Sequence, residues 1–137
     1  MVGSLKIFLA ISVFINVPKV MIWVCPFFLR IFTNNFATAI SIWPFIFLKH
    51  KYQKNDAILI NHEKIHLQQQ AELLIIPFYI WYLLEYLFYR LKGYKKHAAY
   101  HSISFEQEAY EHEHDLNYLE HRPWFGFKKY LNSTNQK

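Results

Sequence analysis

The chain has one cysteine, three glycines and few charges, and each shortage removes a class of protein. Cys25 has no second thiol to pair with, so an intramolecular disulfide framework is excluded, leaving His, Glu and Asp as the metal-binding repertoire. No Gly/Ser linker, internal repeat or low-complexity tract divides the 137 residues. That length suits one domain with a real core and is too short for a second catalytic module. Charged residues make up only 18% against 53% hydrophobic and 20% aromatic, a balance between a globular and a membrane protein. The net charge of +5 is spread among aromatic and aliphatic runs instead of forming a polar stripe, which argues against nucleic acid and for lipid as a partner. No small-residue cleavage site follows the apolar stretch Ile7 to Phe14, so a cleaved signal peptide is not expected.

What is present divides into three parts: an apolar segment over 1–35, a metal-binding domain over 36–131 and a polar tail over 132–137. From Ile7 to Phe32 the apolar run is interrupted at Asn16, Pro18, Lys19, Pro26 and Arg30, which suits an interfacial or packed helical pair better than a membrane span. Phe36 to Leu48 is rich in β-branched and aromatic residues and predicts an extended element, with a basic turn or loop from Lys49 to Asp56. Asn55 or Asp56 offers an N-cap for a helix over Ala57 to Leu74. Leu73 to Leu91 is almost wholly apolar and approaches the length of a membrane-spanning helix. A crossing there would put the segments before and after it on opposite sides of the bilayer, so a helix packed on its predecessor or lying in the membrane interface is preferred. Gly93 closes it, Tyr94 to Ser104 reads as a linker, and a second polar helix is expected from about Phe105 to Leu119.

The first of the polar helices contains His62-Glu63-Lys64-Ile65-His66, the HExxH pattern of zinc metallopeptidases. Residues four apart share a helix face, so both imidazoles reach one metal ion while Glu63 sits beside its open coordination position. Such a site hydrolyses: Glu63 acts as general base toward water and the zinc ion as the electrophile at a substrate carbonyl. Two histidines leave zinc one protein ligand short, and Glu106, Glu108, His112, His114 and Glu85 are the candidates. Glu106 and Glu108 lie about 200° apart around a helix, so only one of them faces the metal. Glu106 shares its face with Tyr110, and Glu108 with His112. On one continuous helix Glu85 would stand about 28 Å from His66, and Ile75-Ile76-Pro77-Phe78 offers no loop residues for a hairpin. Tyr100, His101, Tyr110 and His112 are candidate donors to an oxyanion, and Gln69 is a candidate support for the ligands.

HExxH continued by Gln69-Gln70, together with Phe105-Glu106-Gln107-Glu108-Ala109-Tyr110, resembles the two signatures of the gluzincin metallopeptidases, closest to small bacterial HExxHxxQ proteins. The resemblance covers roughly residues 36–118. It implies an α+β, mostly helical, minimal zincin-like fold in which a β element precedes the HExxH helix and a later helix donates a glutamate. It also implies Glu106 as the third zinc ligand, with Glu108 as the alternate. In the family an Asp four residues after that Glu supports a ligating histidine. Here Tyr110 holds that place; its hydroxyl could replace the hydrogen bond but brings no negative charge.

The expectation is therefore a zinc metallopeptidase cleaving a peptide or protein substrate, membrane-associated, with a cytoplasmic location as the alternative. Its rivals are a small integral membrane protein without enzymatic activity and a degenerate zinc-binding module.

Overall fold

The computed structural model describes residues 20–34 and 36–131; the expectations for Ile7 to Phe14 and for the polar tail lie outside them. The fold is α+β and mostly helical, with one small sheet.

Phe36 to Leu48 forms a hairpin of strands β2 (Ala39–Ile42) and β3 (Phe45–Leu48), turned at Trp43-Pro44 through a cis peptide bond. The alternation of β-branched and aromatic residues puts Ala39, Ser41, Ile46 and Leu48 on the buried face. Strand β1 (Met21–Val24) adds to the other side of β3 in parallel, giving the order β1-β3-β2, and helix α1 (Pro26–Thr33) follows it. Within the run expected to form an interfacial or packed helical pair, Met21–Val24 is a strand and Pro26–Thr33 a helix; Ile22 and Val24 carry the β propensity that the longer apolar run concealed.

Basic residues Lys51–Asn55 form a single 3₁₀ turn, after which the Asp56 carboxylate accepts from the Leu59 amide and starts α2 (Ala57–Leu73). This helix packs on β2 through Ile60 and Leu67, which join Ala39, Ile46 and Leu48 in one apolar cluster. Helix α3 (Ile75–Leu91) begins one residue later, after a bend of 111°. The whole turn is made by Leu74, whose φ of 67° and ψ of 152° lie in a region that only glycine enters without strain. No loop residue marks the corner. Among the described residues no single helix is long and apolar enough to cross a membrane, although α2 and α3 would pass together as a bent pair.

Helix α3 ends in a Schellman motif. Gly93, at φ 89°, donates to Arg90 O and Tyr94 donates to Tyr89 O, with the rings of Tyr94 and Tyr89 in contact at 5.4 Å. The expected linker contains a short helix, α4 (Lys96–His101), built on Ala98 and Ala99. The second polar helix, α5 (Ser104–His112), stops seven residues before the expected end, and α6 (Tyr118–His121) and a 3₁₀ turn (Gly126–Tyr130) follow. Asn61 causes the early stop: its Nδ2 donates to the carbonyls of Glu113 and Asp115 at 3.0 Å, and to His112 at 3.4 Å, pinning the end of α5 to α2.

Polarity is placed inside out in the two long helices. On α2, Asn61, His62, Glu63, His66, Gln69 and Gln70 are all buried, whereas on α3 only Phe78 and Tyr89 are buried among a run of apolar residues. Buried polar groups need partners and exposed apolar stripes need a reason.

Candidate metal centre

Helices α2 and α5 cross so that His62, His66 and Glu106 bring their side chains together, each less than a tenth exposed. The two Nε2 atoms stand 3.1 Å apart, His66 Nε2 is 3.3 Å from Glu106 Oε1, and His62 Nε2 is 3.4 Å from Glu106 Oε2.

The outer nitrogen of each imidazole is already committed. His62 Nδ1 lies 2.9 Å from Glu113 Oε2, an acceptor, so Nδ1 carries the proton. His66 Nδ1 lies 2.8 Å from Gln69 Oε1, while Gln69 Nε2 donates to Phe105 O at 3.1 Å and to Glu108 Oε2 at 2.9 Å. Those two acceptors fix the orientation of the Gln69 amide, so its oxygen faces His66 and Nδ1 must donate there too. Both Nε2 lone pairs therefore point at each other and at a carboxylate. Tyr82 donates to Glu106 Oε1 at 2.6 Å, but Glu106 Oε2 is buried without any hydrogen-bond partner. Three acceptors facing one another, one of them orphaned, call for a cation. An ion held tetrahedrally at ~2.0–2.1 Å spaces its ligand atoms about 3.3 Å apart, which matches the three observed distances. The cluster is thus a buried group able to hold a metal ion.

Electrostatics agree with this geometry. Burial pulls the His66 pKa down, but the Glu106 carboxylate beside it, together with Glu63 and the Gln69 hydrogen bond, outweighs this and the net effect is a rise to about 9. Burial alone would raise Glu106, yet His66 and His62 hold it well below the carboxylate range. In the metal-free chain one proton on His66 stands in for the cation. Glu63 is raised by burial, opposed by His66 and His62, and its side chain meets Ser41 of β2.

Glu63 borders two cavities, of about 330 Å³ and about 210 Å³, which also share Phe36, Ala37, Ala39 and Tyr100 as lining. The larger is apolar, walled by Phe32, Phe78, Tyr79, Leu83 and Tyr86, and reaches His66 and Glu106. The smaller reaches His62, His97, His101, Tyr110 and Glu113. Among the described residues β2 is an edge strand of the sheet, and its Ala39 lines both cavities. Gln70 donates to Ser41 O and accepts from the Trp43 amide, both at 2.9 Å, and the Tyr79 hydroxyl also donates to Ser41 O.

The other candidates fall into place by their partners. Glu108, the alternate ligand, faces away: Arg122, Tyr118 and Gln69 fill both its oxygens, and Arg122 continues to Glu72. Gly126 passes so close to Glu108 that a Cβ there would meet Oε1 at 2.3 Å. Glu85 does return toward α5 because the chain bends at Leu74, but it accepts from the amide and hydroxyl of Ser104 at 2.6 and 2.7 Å and so caps α5 instead of joining the cluster. His112, a candidate donor, stacks on Tyr118 at 3.8 Å and contacts the Tyr130 hydroxyl, and so belongs to the packing behind α5. His114 is largely exposed. Tyr110 lies edge-on to the His62 ring at 4.7 Å, and burial with the nearby Glu106 charge raises its phenol to about 12. Tyr100 is raised further for the same two reasons, so both hydroxyls keep their protons.

Sequence reasoning missed Glu113 and Tyr82. Glu113 supplies the carboxylate that Tyr110 lacks, seven residues after Glu106, two helical turns on the same side. That spacing was the available signal. No protein-family model, curated protein or solved structure matches the chain.

Proposed function

We propose that the chain is a zinc-dependent peptidase of the gluzincin type, with His62, His66 and Glu106 as metal ligands and Glu63 as general base. The observation that carries this reading is the convergence of three lone-pair atoms whose outer nitrogens are already bonded, with Glu106 Oε2 buried and unpaired. Two imidazoles and a carboxylate favour zinc over harder cations. Bound there, zinc supplies Lewis acidity, polarising a carbonyl and lowering the pKa of water toward neutrality.

The chain's own residues do the rest. Glu63, lifted toward neutral pH by burial, accepts a proton at its carboxylate and returns it to the leaving amine. Glu113 and Gln69 hold the two imidazoles in one tautomer and orientation. Tyr100 and Tyr110, protonated at any physiological pH, are the hydroxyls available to a developing oxyanion. An extended peptide finds backbone partners at the Ala39 end of β2, which among the described residues is an edge strand and lines the same cavities as Glu63.

The test is metal content by mass spectrometry on protein purified without added metal or chelator. Wild type is expected to carry one zinc per chain, lost in His66→Ala and Glu106→Ala and kept in Glu108→Gln and Glu63→Gln. Cleavage of a mixed peptide library should vanish in Glu63→Gln alone among the metal-loaded proteins. A metal-free wild type overturns the site; a loaded wild type indifferent to Glu63→Gln reduces it to a structural zinc module.

A further inference from the structure

The mouth of the apolar cavity is framed by two surfaces that the fold leaves bare. On α3, Ile76, Ile80, Leu83, Leu84, Leu87, Phe88 and Leu91 are exposed, from 46% at Leu87 to 89% at Leu91. They lie within about 140° of the helix circumference, while Phe78, Tyr82 and Tyr89 occupy the opposite, inward side. Across the mouth, α1 exposes Phe27, Ile31 and Phe32. Phe32 and Leu83 belong both to the cavity wall and to these surfaces, so the apolar lining is continuous with them.

The charges at this border have one sign. Arg30 shares a face with Phe27 and Ile31, Arg90 and Lys92 flank the α3 stripe, and Lys96 lines the mouth. Lys92 Nζ lies 4.2 Å above the Phe88 ring and Lys96 Nζ 4.7 Å above Phe36, so each ammonium rides on an exposed or half-buried aromatic. The one acid of α3, Glu85, is turned to Ser104, and α1 has none. An apolar stripe bordered by cations alone matches the interfacial zone of an anionic bilayer, where side chains enter the acyl boundary and ammonium groups reach the phosphates.

We propose that the exposed faces of α1 and α3 dock on anionic phospholipid bilayers, which places the mouth of the apolar cavity against the lipid. The docking surface does not include His62, His66 or Glu106. It stands or falls independently of the metal site, but gives the proposed peptidase substrates presented at a membrane surface.

The test is flotation of the full chain with vesicles of equimolar phosphatidylglycerol and phosphatidylcholine, with phosphatidylcholine alone for comparison, using wild type and metal-free His66→Ala in parallel. Both proteins are expected to float with the anionic vesicles and far less with the neutral ones. The pair Ile80→Glu with Leu84→Glu, at exposed positions outside the cavity, should weaken flotation by roughly tenfold or more. The pair Lys92→Gln with Lys96→Gln should lose about fivefold per lysine on anionic vesicles only. Leu91→Glu, at the most exposed position of the helix, must weaken binding too and guards against misfolding of the double variant. No flotation of wild type, flotation unmoved by the α3 substitutions, or a wild-type dimer that Ile80→Glu with Leu84→Glu dissociates while vesicles are ignored would each overturn the proposal.

Discussion

A metal ion entering the His62, His66, Glu106 cluster must displace the proton that takes its place in the metal-free chain. With His66 raised to about 9, that proton is bound at pH 7, and removing it there costs about 3 kcal/mol, or roughly a hundredfold in apparent affinity. Apparent zinc or cobalt affinity should therefore rise about tenfold per pH unit from 7 and level off near 9. The assay is competition against a chromophoric chelator across that range, with cobalt absorption reporting the coordination geometry. Calorimetry at pH 7 in buffers of different ionisation enthalpy should show about one proton released per ion bound. The metal-free protein carries the opposite sign. Because the folded pKa of His66 lies above its unfolded value near 6.5, the proton stabilises the fold fully below about pH 6.5, and this stabilisation is lost as pH rises through about 9. Metal-free unfolding free energy should fall by about 3 kcal/mol over that window, while the stability of the metal-loaded protein stays nearly flat, because neither it nor the unfolded chain carries that proton. An affinity flat from pH 7 to 8.5, with no proton released, would refute the proton that takes the place of the cation on His66 in the metal-free chain.

Three further outcomes follow from contacts around the site. Glu113→Ala should lower metal affinity about tenfold to a hundredfold in the same competition assay, with partial recovery in Glu113→Gln, whose oxygen still accepts from His62 Nδ1. Arg122→Leu leaves the carboxylates of Glu72 and Glu108 buried without their counterion and should cost about 3–5 kcal/mol in denaturant unfolding; a change under about 1 kcal/mol would mean the cluster is hydrated. Leu74→Gly removes backbone strain at an exposed side chain and should stabilise by about 1 kcal/mol, read as a shift in thermal midpoint.

The parts of the structure legible in the sequence were those set by local rules. Asp56 as cap, the 3.6-residue spacing of His62 and His66, the β-rich stretch that became a hairpin and Gly93 as a helix end each depend on neighbours a few residues away. The corner at Leu74 was illegible because tertiary packing imposes it on a residue that local preference would never place there. The same holds for Glu113. Its role depends on Asn61 halting α5 across the fold, and a polar run of Glu111-His112-Glu113-His114 reads equally well as a solvated face. The choice between Glu106 and Glu108 stayed open for a similar reason. Both are buried, and only Arg122, distant in sequence, shows which of the two is already neutralised. Strand β1 and helix α4 were hidden by neighbours of stronger character.

The one-residue corner also acts as a set square. Helices α2 and α3 meet at Leu74 with no slack between them, and His66 stands eight residues before that corner, about 12 Å along the axis of α2. Whatever surface α3 lies on, the two imidazoles are therefore held between about 12 Å (His66) and about 18 Å (His62) along α2 from the corner, at an angle set by the backbone of Leu74. The site has a fixed reach, so bonds standing far above that surface are out of range however well their side chains would suit the cavity.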